Sequence, residues 1–198
     1  MPEGNIFEEL LTRIEKGATL AITFDAGLLF SRFEKLTGNK LIHHTPASDS
    51  AVINGHTYRR SEKLTLESTS STVLMSEEDG NPFLTISSYG KGKVIFCTAP
   101  IEKQFSETVG EPDAGLLEIY KLFAEQLDLE VTRNDKHLGI TVHTLENGKK
   151  IAVAVNYSGE KITDTVTLKN GSVGNVYLGS ANGNAITVEP YSATIFEI

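Results

Sequence analysis

The pattern of apolar residues changes near residue 130 of this 198-residue chain. Before that point, residues 5–16, 26–38 and 113–127 carry apolar side chains at helical spacing. After it no helical pattern recurs, and short strand-like runs separated by Gly and Asn fill the rest of the chain. The sequence therefore predicts two domains of different class, residues 1–130 and residues 131–198.

The first domain opens with alternating helix and strand signals. Residues 5–16 and 26–38 predict helices, whereas residues 18–25 and 40–46 predict strands. This order is typical of a parallel sheet with covering helices, so we expect a layered α/β domain. A doubly wound domain normally begins with a strand, but this chain begins with a helix. We therefore expect the domain to be truncated at its start.

Apolar spacing also predicts which faces of the helices are buried. In the first helix these residues are Ile6, Leu10, Leu11 and Ile14, after a possible Asn5 cap. The helix near residue 120 follows a possible Asp113 cap, and its predicted buried residues are Leu116, Leu117, Ile119, Tyr120, Phe123, Ala124 and Leu127. Gly17 and Gly38 are predicted to end the first and second helices.

Short alternating runs between residues 47 and 100 predict β-hairpins. Asn54-Gly55 and Asp79-Gly80 are the clearest turn signals in this region. Asn147-Gly148 is an equivalent signal in the second domain, which we expect to be a small antiparallel all-β sandwich.

Composition excludes several classes of protein. The formal net charge of −8 argues against nucleic-acid binding, which normally requires a basic patch. A single cysteine rules out an internal disulfide and any multi-cysteine metal site. No signal peptide and no membrane span are recognisable. We expect a soluble protein without membrane contact, most simply a cytoplasmic one, although one cysteine leaves the compartment open.

One stretch, residues 87–100, combines glycines, lysines and the cysteine in the sequence SSYGKGKVIFCTAP. A phosphate-binding P-loop has four residues between its glycines and a helix after them. Here one residue separates Gly90 from Gly92, and a strand-like run follows. We therefore predict a hairpin turn with Lys91 at its tip.

Cys97 lies inside the strand-like run of that stretch. A nucleophile elbow would place it between glycines at a sharp strand-to-helix turn, which the sequence does not show. Strand alternation places Cys97 on the opposite face from Phe96, and free cysteine is among the most buried residue types. We predict a packing role rather than a reactive one.

The other candidates for chemistry are histidines and acidic residues. No metal-binding spacing connects the histidines, which are His43, His44, His56, His137 and His143. Asp25 and Glu102 follow buried strands, at the sheet edge where α/β proteins bind ligands, but helix capping or a similar structural role is the interpretation that we favour for both. We predict no catalytic residue, no metal site and no cofactor, and the sequence identifies no carbohydrate-binding residue.

Three segments resemble the region that follows the catalytic barrel in bacterial glycoside hydrolases. They are NPFLTISSYGKGKVIFCTAPIEKQF, AGLLEIYKLFAEQLDL and, at the end of the chain, EPYSATIFEI. The resemblance implies a flavodoxin-like or class I glutamine-amidotransferase-like domain without its catalytic cysteine, as in the trimerisation domain of β-galactosidases. It also implies that a small β-sandwich follows.

The resemblance implies a non-catalytic function. The catalytic glutamates of such enzymes lie in a barrel, which a chain of this length cannot contain. The implied partners are that barrel and further copies of this chain, which would associate through residues 1–130. A small amidotransferase-like enzyme is a further alternative, but it needs a nucleophile that is not visible.

A self-standing carbohydrate-binding protein is the main alternative. Sugar-binding modules usually display rows of exposed aromatic side chains, and this chain has no tryptophan. The aromatic residues that its sandwich could offer are Tyr157, Tyr177, Tyr191 and Phe196.

Overall fold

The computed structural model describes residues 4–24, 32–103 and 114–198. The chain forms two compact units, Met1–Leu127 (unit 1) and Asp128–Ile198 (unit 2). Within the described ranges, no helix is long and apolar enough to cross a membrane.

Unit 1 combines short helices with many strands. Its helices are α1 (Gly4–Glu15), α2 (Phe33–Thr37) and α3 (Ala114–Glu125). Its strands are β1 (Thr19–Thr23), β2 (Asn39–Pro46), β3 (Ser50–Ile53), β4 (His56–Arg59), β5 (Glu62–Ser68), β6 (Thr72–Ser76), β7 (Pro82–Tyr89) and β8 (Gly92–Cys97).

The central sheet of unit 1 has the strand order β1-β8-β7-β6. Among the described strands of this sheet only β1 and β8 run parallel, whereas β8 with β7 and β7 with β6 are antiparallel pairs. Strands β2 and β5 form a separate antiparallel pair, and so do β3 and β4.

Strand β8 is buried on both faces of the central sheet. Val94 and Phe96 pack into one core with residues of α1, α2 and β5, and the Phe96 ring meets the Phe33 ring edge-on at 5.1 Å. Ile95 and Cys97 pack into a second core with residues of α3, β3 and β4. A strand with two buried faces requires a continuous apolar run, which is what the sequence of β8 provides.

The predicted flavodoxin- or amidotransferase-like layered α/β domain is wrong. Strands hold 48% of the described residues and helices 17%, with the strands in several small sheets. Strand β2 accounts for much of the difference, because it pairs with β5 instead of joining a parallel sheet. Central parallel strands need apolar residues on both faces, and β2 carries the exposed His43 and His44 instead.

The predicted hairpin turns are confirmed. Asn54 and Gly55 connect β3 to β4 with φ of 51° and 79°, the left-handed values that a type I′ turn requires. Asp79 and Gly80 lie in the connection from β6 to β7. The predicted end of α2 is also confirmed, since Gly38 has φ of 66° and its N–H donates to the Glu34 carbonyl.

The predicted helix faces are partly wrong. Leu11 and Ile14 of α1 are buried, but Ile6 is 60% exposed. In α3 the buried side chains are Leu116, Ile119 and Phe123, whereas Leu117, Tyr120 and Leu127 are exposed. Asp25, Asp113 and residues 26–31 of the predicted 26–38 helix lie outside the described residues, and nothing is described of the Asn5 side chain.

Every described element of unit 2 is a strand. They are β9 (Val131–Thr132), β10 (Leu138–Thr144), β11 (Lys150–Asn156), β12 (Ile162–Thr165), β13 (Thr167–Leu168), β14 (Val176–Leu178), β15 (Ser180–Asn182), β16 (Ala185–Val188) and β17 (Ala193–Glu197).

These strands form two principal sheets, β10-β11-β17-β14 and β12-β16-β15, and a short β13-β9 pair. All the pairs are antiparallel. Ala152, Ala154 and Phe196 of the first sheet share a core with Ile186 and Val188 of the second. The expected antiparallel sandwich is therefore confirmed for this part of the chain, and the alternation of apolar residues along its strands explains the shared core.

Candidate functional site

The turn at Gly90 and Lys91 packs against the end of α1. Tyr89 and Gly92 pair across the hairpin, and Gly90 has φ of 61°. The Lys91 N–H donates to the Glu15 carbonyl at 3.0 Å. The predicted hairpin turn is confirmed. Its glycines allow two backbone segments to approach each other closely, which is a different role from binding a phosphate group.

Cys97 is fully buried beneath α3, on the opposite face of β8 from Phe96. Burial raises the pKa of its thiol to about 12, and the negative charge of Glu102 acts in the same direction. The thiolate is the nucleophilic form of cysteine, so this residue stays protonated and unreactive near neutral pH.

We predict that a maleimide reagent labels Cys97 slowly in the native protein and rapidly in denaturant, because the thiol is inaccessible until unit 1 opens. Cys97→Ala should lower the free energy of unfolding by about 1–2 kcal/mol through the small cavity that it leaves. Mass spectrometry of timed reactions and urea titration measure the two effects. Complete labelling of the native protein within the time needed for the denatured one would contradict the packing role.

Glu102 lies beside the carboxyl ends of β1 and β8. Its carboxylate accepts hydrogen bonds from the Thr23 hydroxyl and, at 3.2 Å, from the Tyr120 hydroxyl. Burial, followed by the negative charge of Glu102, raises the pKa of Tyr120 to about 12.

This group of side chains has little capacity for acid–base or nucleophilic catalysis. The Tyr120 phenol and the Cys97 thiol are held in their protonated forms, and the Glu102 carboxylate already accepts two hydrogen bonds. A general base or an activated nucleophile needs a pKa near the working pH or an adjacent base. The described residues here therefore form a structural contact between β1, α3 and the residues after β8.

The histidines are dispersed over both units. The His44 Nε2 atom lies within hydrogen-bond distance of the Glu62 carboxylate, and the His137 Nδ1 atom lies 3.5 Å from the Asp135 carboxylate. The His143 Nε2 atom is hydrogen-bonded to the Thr141 hydroxyl at 3.1 Å. Within residues 4–24, 32–103 and 114–198, no group of three or more His, Cys, Asp or Glu side chains could hold a metal ion.

A nearly buried ion pair links the β4–β5 loop to the β6–β7 loop of unit 1. Arg60 lies in the link between β4 and β5, and its guanidinium contacts the Glu77 carboxylate at 2.8 Å, with side chains 5% and 6% exposed. Arg60 also contacts the exposed Asp49 at 2.8 Å. Glu77 accepts a further hydrogen bond from the Asn81 amide at 2.8 Å. Burial lowers the pKa of Arg60, but its hydrogen bonds to the two carboxylates outweigh that effect and raise it overall.

Asn81 extends this network into the backbone. Its side chain accepts a hydrogen bond from the Leu66 N–H and donates one to the Leu64 carbonyl, both at 2.9 Å. Strand β5 and the β6–β7 hairpin are thereby joined through one amide. The network satisfies its own buried groups, which makes it a stabilising element rather than a binding site.

Unit 2 has two exposed tyrosines at adjacent ends of the neighbouring strands β11 and β17. Tyr157 follows β11 and is 68% exposed, and Tyr191 precedes β17 and is 77% exposed. They flank a shallow surface depression of about 400 Å³, the tyrosine notch, whose lining residues are Val155, Asn156, Tyr157, Tyr191, Ser192 and Ala193.

The backbone holds Tyr191 in an unusual conformation. Its φ is 49°, in the left-handed region that non-glycine residues rarely adopt, at a cost of order 1–3 kcal/mol. Its N–H donates to the Ser158 carbonyl at 3.1 Å. Of the other aromatic residues named from the sequence, Tyr177 is exposed on β14 but lies outside the notch, and Phe196 is core.

Sequence reasoning identified the aromatic residues but not their arrangement. Tyr157 and Tyr191 are 34 positions apart, since 191 − 157 = 34, and come together because β11 and β17 are antiparallel neighbours. The pairing of Val155 with Ala193 sets this proximity. The Arg60–Glu77 pair was also missed, because nothing in the local pattern marks either residue as buried.

No protein-family model matches the chain, and no curated protein matches it. Among solved structures, a GH42 β-galactosidase from G. stearothermophilus matches with a TM-score of 0.61 and 19% identity, over 98% of this chain and 30% of the enzyme. A β-galactosidase from Bacillus circulans sp. alkalophilus gives 0.61 and 16%, over 98% and 31%. One from Rahnella sp. R3 gives 0.58 and 15%, over 99% and 31%.

These likenesses establish a shared fold over nearly all of this chain. The chain spans just under a third of the length of each of these enzymes. At such identities the shared fold does not by itself carry over an activity or a substrate.

Proposed function

We propose that this chain is the non-catalytic C-terminal portion of a glycoside hydrolase, acting in the assembly and support of a catalytic barrel that lies outside these residues. The observation that carries the proposal is the structural match of nearly the whole chain to part of three β-galactosidases. A match that covers 98% or more of this chain includes the sandwich as well as unit 1.

The side chains support the non-catalytic part of the proposal. Glycoside hydrolysis needs two carboxyl groups on opposite sides of the scissile bond, one of them protonated near neutral pH. Among the described residues the most buried carboxylates are engaged elsewhere. Glu77 is paired with Arg60, and Asp164 accepts hydrogen bonds from the backbone N–H groups of Asn134 and Asp135.

The isolated protein is therefore expected to hydrolyse no nitrophenyl glycoside. The assay is release of nitrophenol from a panel of α- and β-glycosides over a day at high protein concentration, with a known β-galactosidase as the positive control. Turnover that co-purifies with the chain and disappears when one of its carboxylates is replaced by an amide would refute the proposal.

The link to a barrel has its own experiment. Antibodies against unit 2 can be used to isolate the native protein from the source organism, and tryptic peptides then identify what accompanies the chain. We expect peptides of a glycoside-hydrolase barrel in equal amount, in the same polypeptide or in a stable complex. A native protein that contains only the peptides of this chain would contradict the proposal.

We further propose that unit 1 contacts a second copy of itself. Strand β1 is an edge of the central sheet and pairs only with β8 among the described residues. The neighbouring helix α1 leaves Ile6 60% and Leu10 36% exposed. Unpaired strand edges and exposed apolar side chains favour association with a partner chain.

Light scattering tests this contact. The whole chain should be a dimer or a trimer at high micromolar concentration, and Ile6→Glu with Leu10→Glu should convert it to a monomer. Leu145→Glu, which changes an exposed apolar residue of unit 2, is the matched control and should leave the oligomer intact. A monomeric wild-type chain would exclude the contact.

A further inference from the structure

The tyrosine notch has the properties of a small-molecule site. It is a shallow, open depression of about 400 Å³. Two aromatic side chains flank it, and Val155 and Ala193 add apolar surface. An open aromatic surface of this kind suits a molecule that presents an apolar face and rests on the rings.

The chemistry of the lining selects an uncharged ligand. None of the six lining residues, all of them described, carries a charge. Ser192 is exposed, and its hydroxyl can donate to or accept from a ligand. A phosphate or a carboxylate would find no cation here, whereas a polyhydroxylated neutral molecule finds aromatic faces and a hydroxyl.

Contacts with β10 restrict Tyr157 before any ligand arrives. The Tyr157 ring lies over the backbone of Gly139, where an added Cβ would come within 2.7 Å of Cε2. The Tyr157 N–H donates to the His137 carbonyl at 3.0 Å. Pre-organised aromatic side chains lose little conformational entropy on binding.

Asn156 forms a rigid base between the two tyrosines. It is 1% exposed, and its side-chain amide donates to the carbonyls of Glu160 at 2.6 Å and Glu189 at 3.1 Å. Its side-chain oxygen accepts from the Ser158 N–H at 2.8 Å. Both loops that carry the tyrosines are thus tied to one buried side chain.

We propose that the tyrosine notch binds one pyranose ring of a neutral carbohydrate. The C–H face of the sugar stacks on Tyr157 and Tyr191, because the electron-rich faces of aromatic rings attract partial positive charge. The Ser192 hydroxyl forms a hydrogen bond with a sugar hydroxyl. This inference rests on the notch itself and holds whether or not the chain belongs to a glycoside hydrolase.

Saturation-transfer NMR with the whole chain tests the site. The probes are methyl β-D-galactopyranoside and methyl β-D-glucopyranoside at millimolar concentrations, where a single stacked ring is expected to bind. Transfer should be strongest at the C–H protons of one sugar face. The chain has no tryptophan, so tyrosine fluorescence gives a second, independent titration.

Three variants localise the binding. Tyr191→Gly removes one ring and relieves the left-handed backbone, so the fold is retained, and Tyr157→Ala removes the other ring. Each should weaken binding at least about tenfold, the loss of one stacking contact of roughly 1.4 kcal/mol. Tyr177→Ala is the matched control, since Tyr177 is 57% exposed in the same unit but does not line the notch.

Two results would overturn the inference. One is the absence of saturation transfer from the wild-type chain to either glycoside. The other is binding that survives Tyr191→Gly and Tyr157→Ala unchanged. If these variants instead alter the oligomeric state, the notch is a protein contact and the inference fails as well. None of these results bears on the hydrolysis assay or on the native-protein experiment.

Discussion

Replacing Arg60 with methionine should lower the free energy of unfolding of unit 1 by about 3 kcal/mol, the lower part of the range for breaking a buried ion pair. The variant leaves the Glu77 carboxylate, 6% exposed, without its closest cation. Lys63 lies 3.6 Å from the same carboxylate and compensates in part, which favours the lower value. Urea titration followed by circular dichroism measures the loss.

A double variant separates the pairing from the packing. Arg60→Met together with Glu77→Leu removes both charges, and an apolar pair of similar volume should restore most of the lost stability. In this variant Asn81 retains its hydrogen bonds to Leu64 and Leu66 but loses the one that it donates to Glu77, so recovery should be incomplete. Asp49→Asn is the control for the exposed partner and should change stability little. The double variant could instead lose as much free energy of unfolding as Arg60→Met and Glu77→Leu lose together. That result would show that packing of the Arg60 stem matters more than its charge.

Local features of unit 1 could be predicted from the sequence. The turns at Asn54-Gly55 and at Gly90 and Lys91 follow from the conformational needs of two-residue hairpins, which few residue types meet. The burial of Cys97 followed from its place in a continuous apolar strand. Each of these inferences depends only on residues that are close together along the chain.

Long-range pairing could not be predicted in the same way. The alternation of helix and strand at the start of the chain favoured a parallel sheet, but β2 pairs with β5 and only β1 meets β8 in parallel. The sequence pattern marks strands within residues 47–100, but it does not show which of them enter the central sheet. Periodicity identifies a strand but not its partner.

The candidate sites depend on such long-range contacts even more. The notch forms because the end of β11 meets the start of β17, which brings Tyr157 and Tyr191 together. The Arg60–Glu77 pair joins two loops across unit 1. A list of aromatic or charged residues contains the right members in both cases but says nothing about which of them meet.

Replacing Gly92 with alanine should destabilise unit 1 by about 3 kcal/mol or more, the upper part of the range for overpacking. An added Cβ would lie 2.2 Å from the carbonyl oxygens of both Ile14 and Ala18. These are backbone atoms at the end of α1 and just before β1, so no side-chain rotation relieves the contact. The helix end and the start of the strand must move, and the Lys93 N–H would lose its hydrogen bond to Ala18.

Gly55→Ala is the control for this experiment. Gly55 has φ of 79° but no atom within 4 Å of an added Cβ, so its cost is limited to left-handed strain of roughly 1–2 kcal/mol. Hydrogen exchange followed by mass spectrometry can compare the two variants peptide by peptide. Gly92→Ala should accelerate exchange in α1, β1 and β8 much more than Gly55→Ala does. Equal protection of these elements in both variants would mean that the backbones separate easily, and that the close approach of the Gly90–Gly92 turn to α1 contributes little to the stability of unit 1.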